Sequence, residues 1–159
     1  MFRFFKEIAS GRFKGHPIHV MFVHYPIGLF SAGFFLDLTT LWLDINHLPL
    51  VSFYCMAGGA AGGLAAMLFG MIDYLKLAKE ESLYKKAGWH ALLQLTAFIL
   101  FITVLVLKLP DYPHISYPTP VMLILETLAF SAMTAGNYIG GDLVYKYGAG
   151  TSAEIRQKT

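Results

Sequence analysis

Charge is scarce in this chain: Asp, Glu, Lys and Arg together supply only 14% of 159 residues, where a soluble domain carries about a quarter. That deficit argues against an ordinary soluble globule and against disorder, because disordered chains are kept open by charge and polarity. Cysteine is scarcer still. With Cys55 alone there is no internal disulfide framework, no iron–sulfur cluster held by four thiolates and no CxxC chemistry, and Cys55 within an apolar run reads as a small hydrophobe. A net charge of +2 is too small for a nucleic-acid partner. The chain also lacks a Ser-His-Asp order, a phosphate loop and an HExxH pair, and its short loops leave little surface for a soluble active site. Bond-making catalysis by side chains is not expected.

What is abundant is apolar sequence, 56% of the residues. A bilayer core about 30 Å thick needs about 20 mostly apolar residues in helix, and four runs meet that length: 20–43, 50–75, 87–107 and 119–144. Charged or helix-breaking sequence separates them at 44–49, 76–86 and 108–120. Lipid offers no partner for backbone amides, so helices are the default. The expected fold is all-α, a four-helix transmembrane bundle over 16–147. A basic segment at 1–15 precedes it and a tail at 148–159 follows. Phe2, Phe5 and Ile8 recur at helical spacing among basic residues, which suits a helix lying along headgroups; a frayed terminus is the alternative. No cleavable leader is visible, since the first run long enough to engage export is itself a span.

Of the 12 lysines and arginines, all but Lys108 fall in the N-terminal segment, the second loop or the tail. The positive-inside rule then makes both termini cytoplasmic. With that orientation, depth along each helix gathers His19, His24, Asp73, His90, Gln94, Asn137 and Asp142 in the inner third, with His16 at the boundary. Ionisable residues at such depth face the bundle interior or a water-filled cavity.

Three chemistries fit that gathering. His24 and His90, on two different helices, match the axial ligands of a b-type haem. His19, Asp73 and Asp142 would then surround it, and Gly59, Gly63, Gly136 and Gly140 would admit the flat ring. His16, His19, His24, His90 and Asp73 could instead hold a metal ion through nitrogen and oxygen. A proton relay or a hydrogen-bonded structural core is the third reading. The offset pairs Gly58/Gly62 and Gly59/Gly63, Gly136/Gly140 and Gly28/Ala32 are explained as well by close helix packing or a homo-oligomer as by a cofactor. Asp37 and Glu126 share a depth toward the other end, as a pair joined by one proton, a proton path or a quinone pocket. Tyrosines and tryptophans near span ends, such as Trp42, Trp89 and Tyr145, form an aromatic belt. Helices one and three both begin with histidine and aromatic residues, but no sustained period is evident.

Gly15-His16-Pro17-Ile18-His19 followed by His24-Tyr25-Pro26-Ile27-Gly28 resembles the domain-of-unknown-function 2231 family of bacterial membrane proteins. Asp37, Gly70-Met71-Ile72-Asp73-Tyr74, Gly88-Trp89-His90 and Gly140-Gly141-Asp142-Leu143-Val144-Tyr145 through Gly148 extend the resemblance over 12–150. It implies a small four-span protein of the cytoplasmic membrane with no assigned reaction. Some relatives are joined to Rieske or cytochrome c domains, which tilts the histidines toward electron transfer with haem or quinone. The expectation is therefore a haem-binding redox subunit working with other membrane or redox subunits. The alternative is a non-catalytic accessory or scaffold subunit, or a metal-ion- or proton-handling membrane protein.

Overall fold

The computed structural model describes residues 2–14, 16–77 and 81–149; Lys79, Arg156 and Lys158 lie outside them. The protein is built from helices: α1 (Phe2–Ala9), α2 (Ile18–Phe22), α3 (His24–Thr39), α4 (Leu48–Lys76), α5 (Glu81–Lys108) and α6 (Pro120–Tyr145). The helices expected at 20–43, 50–75, 87–107 and 119–144 are all present, with shifted ends. The first is stapled from two pieces. Pro26 has no N–H to give the Phe22 carbonyl, and the regular ladder is interrupted at Val23, although Val23 itself is αR (φ −59, ψ −25) and the helix continues through it. Proline is harmless in the first turn, where the N–H is unneeded, and both Pro49 and Pro120 sit there. Thr119 caps α6 by accepting from the Met122 amide at 3.3 Å.

Among the described residues, three stretches are long and apolar enough to cross a membrane: Ile18–Thr39, Leu48–Lys76 and Glu81–Asp111. Between 22% and 28% of each apolar window is buried inside the protein, so most of its surface must be covered by something as apolar as lipid. Leu64, Leu68, Ile99, Val106, Ile124 and Leu128 are more than half exposed. Helix α6 has comparable length, 26 residues, with Glu126, Asn137 and Asp142 lowering its hydropathy.

Helices α3 and α4 pack as one hairpin and α5 and α6 as another; α4 meets α5 and α3 meets α6 between them. The core runs along that junction through Phe30, Phe34, Met56, Ala60, Ala97, Phe101, Val104, Ala129 and Met133. Phe30 and Phe101 stack at its centre, centroids 4.4 Å apart and planes 5° from parallel.

The N-terminal segment is docked onto the end of α4. After α1, β1 (Arg12–Phe13) pairs antiparallel with β2 (His16–Pro17), Arg12 opposite Pro17 and Phe13 opposite His16. Gly11 turns the chain at φ +72, and a Cβ there would come within 3.2 Å of Asp73 Oδ1. Lys76 Nζ donates to the Ser10 carbonyl at 2.6 Å.

At the opposite end the loops are clasped by phenols. Tyr117 donates to Asp44 Oδ1 at 2.5 Å, and the Tyr54 and Tyr112 hydroxyls meet at 3.1 Å. The hydrogen bond to Asp44 pushes the Tyr117 phenol above its ordinary pKa. A raised phenol pKa means the clasp is intact below the ordinary tyrosine range and is lost as pH rises through the raised value. Subtracting the alkaline absorbance titration of Tyr117→Phe from that of the wild type should isolate one phenol ionising above the normal range. The same substitution should increase deuterium uptake at 40–47 and 112–119 while leaving the helices unchanged.

Candidate functional site

Two histidines occupy equivalent places in the two hairpins. His19 Nδ1 lies 2.7 Å from the Ala66 carbonyl on α4, and His90 Nδ1 lies 2.7 Å from the Gly136 carbonyl on α6. A carbonyl only accepts, so each Nδ1 carries a proton, and in the neutral form of the ring the lone pair is then on Nε2. One turn beyond each carbonyl is a glycine seating the same ring. A Cβ at Gly70 would fall 2.9 Å from the His19 ring, and one at Gly140 would fall 2.8 Å from the His90 ring. The two imidazoles are within electrostatic reach of each other.

This equivalence extends along the whole junction. Asp37 and Lys108 are 71 residues apart, as are Phe30 and Phe101, and His19 and His90. Ala66 and Gly136, and Gly70 and Gly140, repeat at a spacing one residue shorter. Two of the 71-residue pairs meet between the hairpins, the stacked phenyls in the middle and the ion pair at one end; the imidazoles at the other end are within electrostatic reach. Only a few positions match in residue type, so the repeat is carried by contacts and is faint in the sequence.

The pairing differs from the expectation of His24 with His90. His24 is exposed and lines a surface groove with Phe13, Lys14, His16, Pro17, Val20 and Met21; His19 is the residue set toward His90. The reason is angular. Five residues of helix turn the chain about 140°, so His19 and His24 cannot address the same neighbour. The glycines expected to admit a flat ring are filled by the bundle's own side chains: Gly59 by Phe30, Gly63 by Phe98, Gly136 by Gln94 and Gly140 by His90. Asp142 is held by lysines, Lys86 at 2.9 Å and Lys146 at 2.7 Å, and Asp73 sits against Gly11. Gln94 donates to Asn137 Oδ1 at 2.7 Å, tying α5 to α6 one turn from His90. Among the described residues, no three His, Cys, Asp or Glu side chains gather closely enough to hold a metal ion; His16, His19, His24, His90 and Asp73 do not form one.

At the other end, Asp37 and Glu126 are brought together, both fully buried. They are joined by two residues that the sequence reading missed. Lys108, 1% exposed, forms a buried ion pair with Asp37 and donates to Ser52 Oγ at 3.2 Å. The four long helices thus contribute one polar residue each: Asp37, Ser52, Lys108 and Glu126. Lys108 ends α5 and does not belong to the separating segment at 108–120; its mark in the sequence is being the only Lys or Arg between 87 and 145, at the same spacing from His90 as Asp37 from His19.

Residues 15–153 match the family of predicted membrane proteins called domain of unknown function 2231. No curated protein and no solved structure matches the chain.

Two stability tests follow. Gly70→Ala and Gly140→Ala should each cost about 1–3 kcal/mol by forcing an imidazole off its seat, whereas Gly141→Ala, whose Cβ would meet nothing within 4 Å, should change thermal unfolding by less than about 1 kcal/mol. Lys108→Met should cost about 3–5 kcal/mol by leaving Asp37 buried without its cation, and Lys108→Met with Asp37→Leu should recover most of that loss. Unfolding in mild detergent reads both.

Proposed function

The chain belongs to the domain-of-unknown-function 2231 family of predicted membrane proteins, and we propose that within it this protein is a small redox subunit of the bacterial cytoplasmic membrane. In this reading all four long helices span the bilayer with both termini cytoplasmic. A b-type haem is held between His19 and His90, and electrons pass to or from a quinone or a partner protein. The carrying observation is the pair of imidazoles with Nδ1–H donated to a helix carbonyl and Nε2 left free. A carbonyl acceptor at Nδ1 fixes the ring and raises the basicity of Nε2, which is how proteins prepare an imidazole as a ligand. The donor set fits haem better than a bare ion: haem supplies four ligands of its own and asks two of the protein, whereas zinc asks three or four. When bound, haem supplies one-electron transfer, and the protein sets its potential through the ligands, burial and nearby charge.

Orientation follows from the same lysines as before. With Lys108 paired to Asp37, no other lysine or arginine among the described residues stands at the end opposite the N-terminus, which supports this orientation. From His90 to Lys108 α5 rises about 27 Å at about 1.5 Å per residue. The histidines and the ion pair therefore lie near the two edges of a hydrocarbon core about 30 Å thick.

A second reading has its own support. Both imidazoles and the junction glycines interlock tightly, which suits a scaffold subunit whose polar side chains fasten one hairpin together each. A reduced-minus-oxidised visible spectrum of protein purified from haem-replete cells separates the two. The redox reading expects a sharp alpha band, lost in His19→Ala and in His90→Ala and kept in His24→Ala. A folded wild type without Soret absorption ends the haem reading; the scaffold reading then expects His19→Ala and His90→Ala only to lower the melting temperature.

A further inference from the structure

We propose that Asp37 and Glu126 bind one exchangeable proton between them, with Lys108 balancing the carboxylate charge that remains. The site lies at the end of the bundle away from the histidines and does not depend on the haem reading. Its charges do not cancel as they stand: two carboxylates face one ammonium, and Asp37, Glu126 and Lys108 are all at most 1% exposed. The two carboxyls are within hydrogen-bonding reach of each other. Ionised carboxylates have no proton to donate, so Asp37 Oδ1 and both Glu126 oxygens lack a donor. Buried acceptors without donors are costly, and an uncompensated negative charge in hydrocarbon is more so.

One proton answers both deficits. Taken up from water, it bonds to one carboxyl oxygen, is donated to the facing carboxyl, and brings the cluster from a net charge of −1 to neutral. A metal cation would also neutralise the surplus charge, but it would stand beside the Lys108 ammonium, and like charges at that distance repel strongly where screening is weak. The charged groups acting on Glu126 are Asp37 from α3 and Lys108 from α5; Ser52 from α4 accepts from Lys108 and carries no charge. Met56 occupies the position on α4 equivalent to Glu126 on α6, so the second carboxyl is an addition to one hairpin only. The ion pair alone would suffice to join the helices; the extra carboxyl is what creates a place for a proton.

Infrared spectroscopy of the full chain in lipid nanodiscs tests this directly. The wild type at neutral pH should show a protonated-carboxyl C=O stretch, resolved from the carboxylate bands, that shifts down after transfer to deuterated water. Glu126→Gln keeps the shape of the neutral acid, so it should fold like the wild type and lose the band completely. Asp37→Asn should shift or remove it, and if that variant does not fold, Glu126→Gln decides alone. Wild-type and Glu126→Gln spectra that coincide in this region would overturn the proposal. So would a band that never shifts in deuterated water, because a sealed proton is not an exchangeable one.

Discussion

A charge that leaves water for hydrocarbon must find its partner within the protein, because lipid has nothing to offer it. In this protein that requirement falls on Asp37 and Lys108, both buried to within 1%. The ion pair crosses from one hairpin to the other, Asp37 on α3 and Lys108 on α5. The pair therefore fixes how α3 and α5 face each other, and the packing between them follows: Phe30 lies flat on Phe101, while His19 and His90 come into each other's field. An ion pair of this kind contributes little net stability over a well-packed apolar pair, but its loss on one side is severe. Its work is to specify the rotation of one hairpin against the other.

The glycines act on the same geometry from within each hairpin. Close approach of helix backbones lets an imidazole reach a carbonyl that is already engaged in a helical hydrogen bond and share its second lone pair. His19 and His90 each tie the outgoing helix of a hairpin to the returning one at the cytoplasmic end of the proposed orientation. Lysines reinforce that end: Lys86 and Lys146 close on Asp142, and Lys76 reaches back to Ser10. The other end is held by phenols and by the buried cluster. Polar fastening is thus concentrated at the two ends of the bundle, and the middle is left to Phe30, Phe101, Met56 and Met133.

The helices were legible in the sequence because their signals are local. Apolar run length, bounding charges and first-turn prolines each act within a few residues, and the ends moved by no more than six residues: α3 stops at Thr39, α4 starts at Leu48 and α5 starts at Glu81. The small-residue positions on α4 and α6 were legible too, but not their occupants, since a glycine records that something approaches and not what. The histidine pairing was hidden by angle. His19 and His24 share a depth on one chain segment, and depth was read without the rotation that sends His24 to the surface groove. Lys108 was hidden by its position beside Leu109-Pro110-Asp111, where a lysine ordinarily belongs to water; only its distance from His90, matched by that of Asp37 from His19, sets it apart.

The correspondence between the hairpins has a consequence for what a single chain can do. Two identical hairpins meeting on a true twofold axis would present each axial residue to its own copy. Imidazole could face imidazole and phenyl could face phenyl, but an aspartate would face an aspartate and a lysine a lysine. Opposite charges at the axis are available only when the halves differ. By carrying both hairpins in one polypeptide, the protein keeps like pairs where likeness is useful, at the histidines and phenylalanines, and breaks the symmetry where attraction demands it.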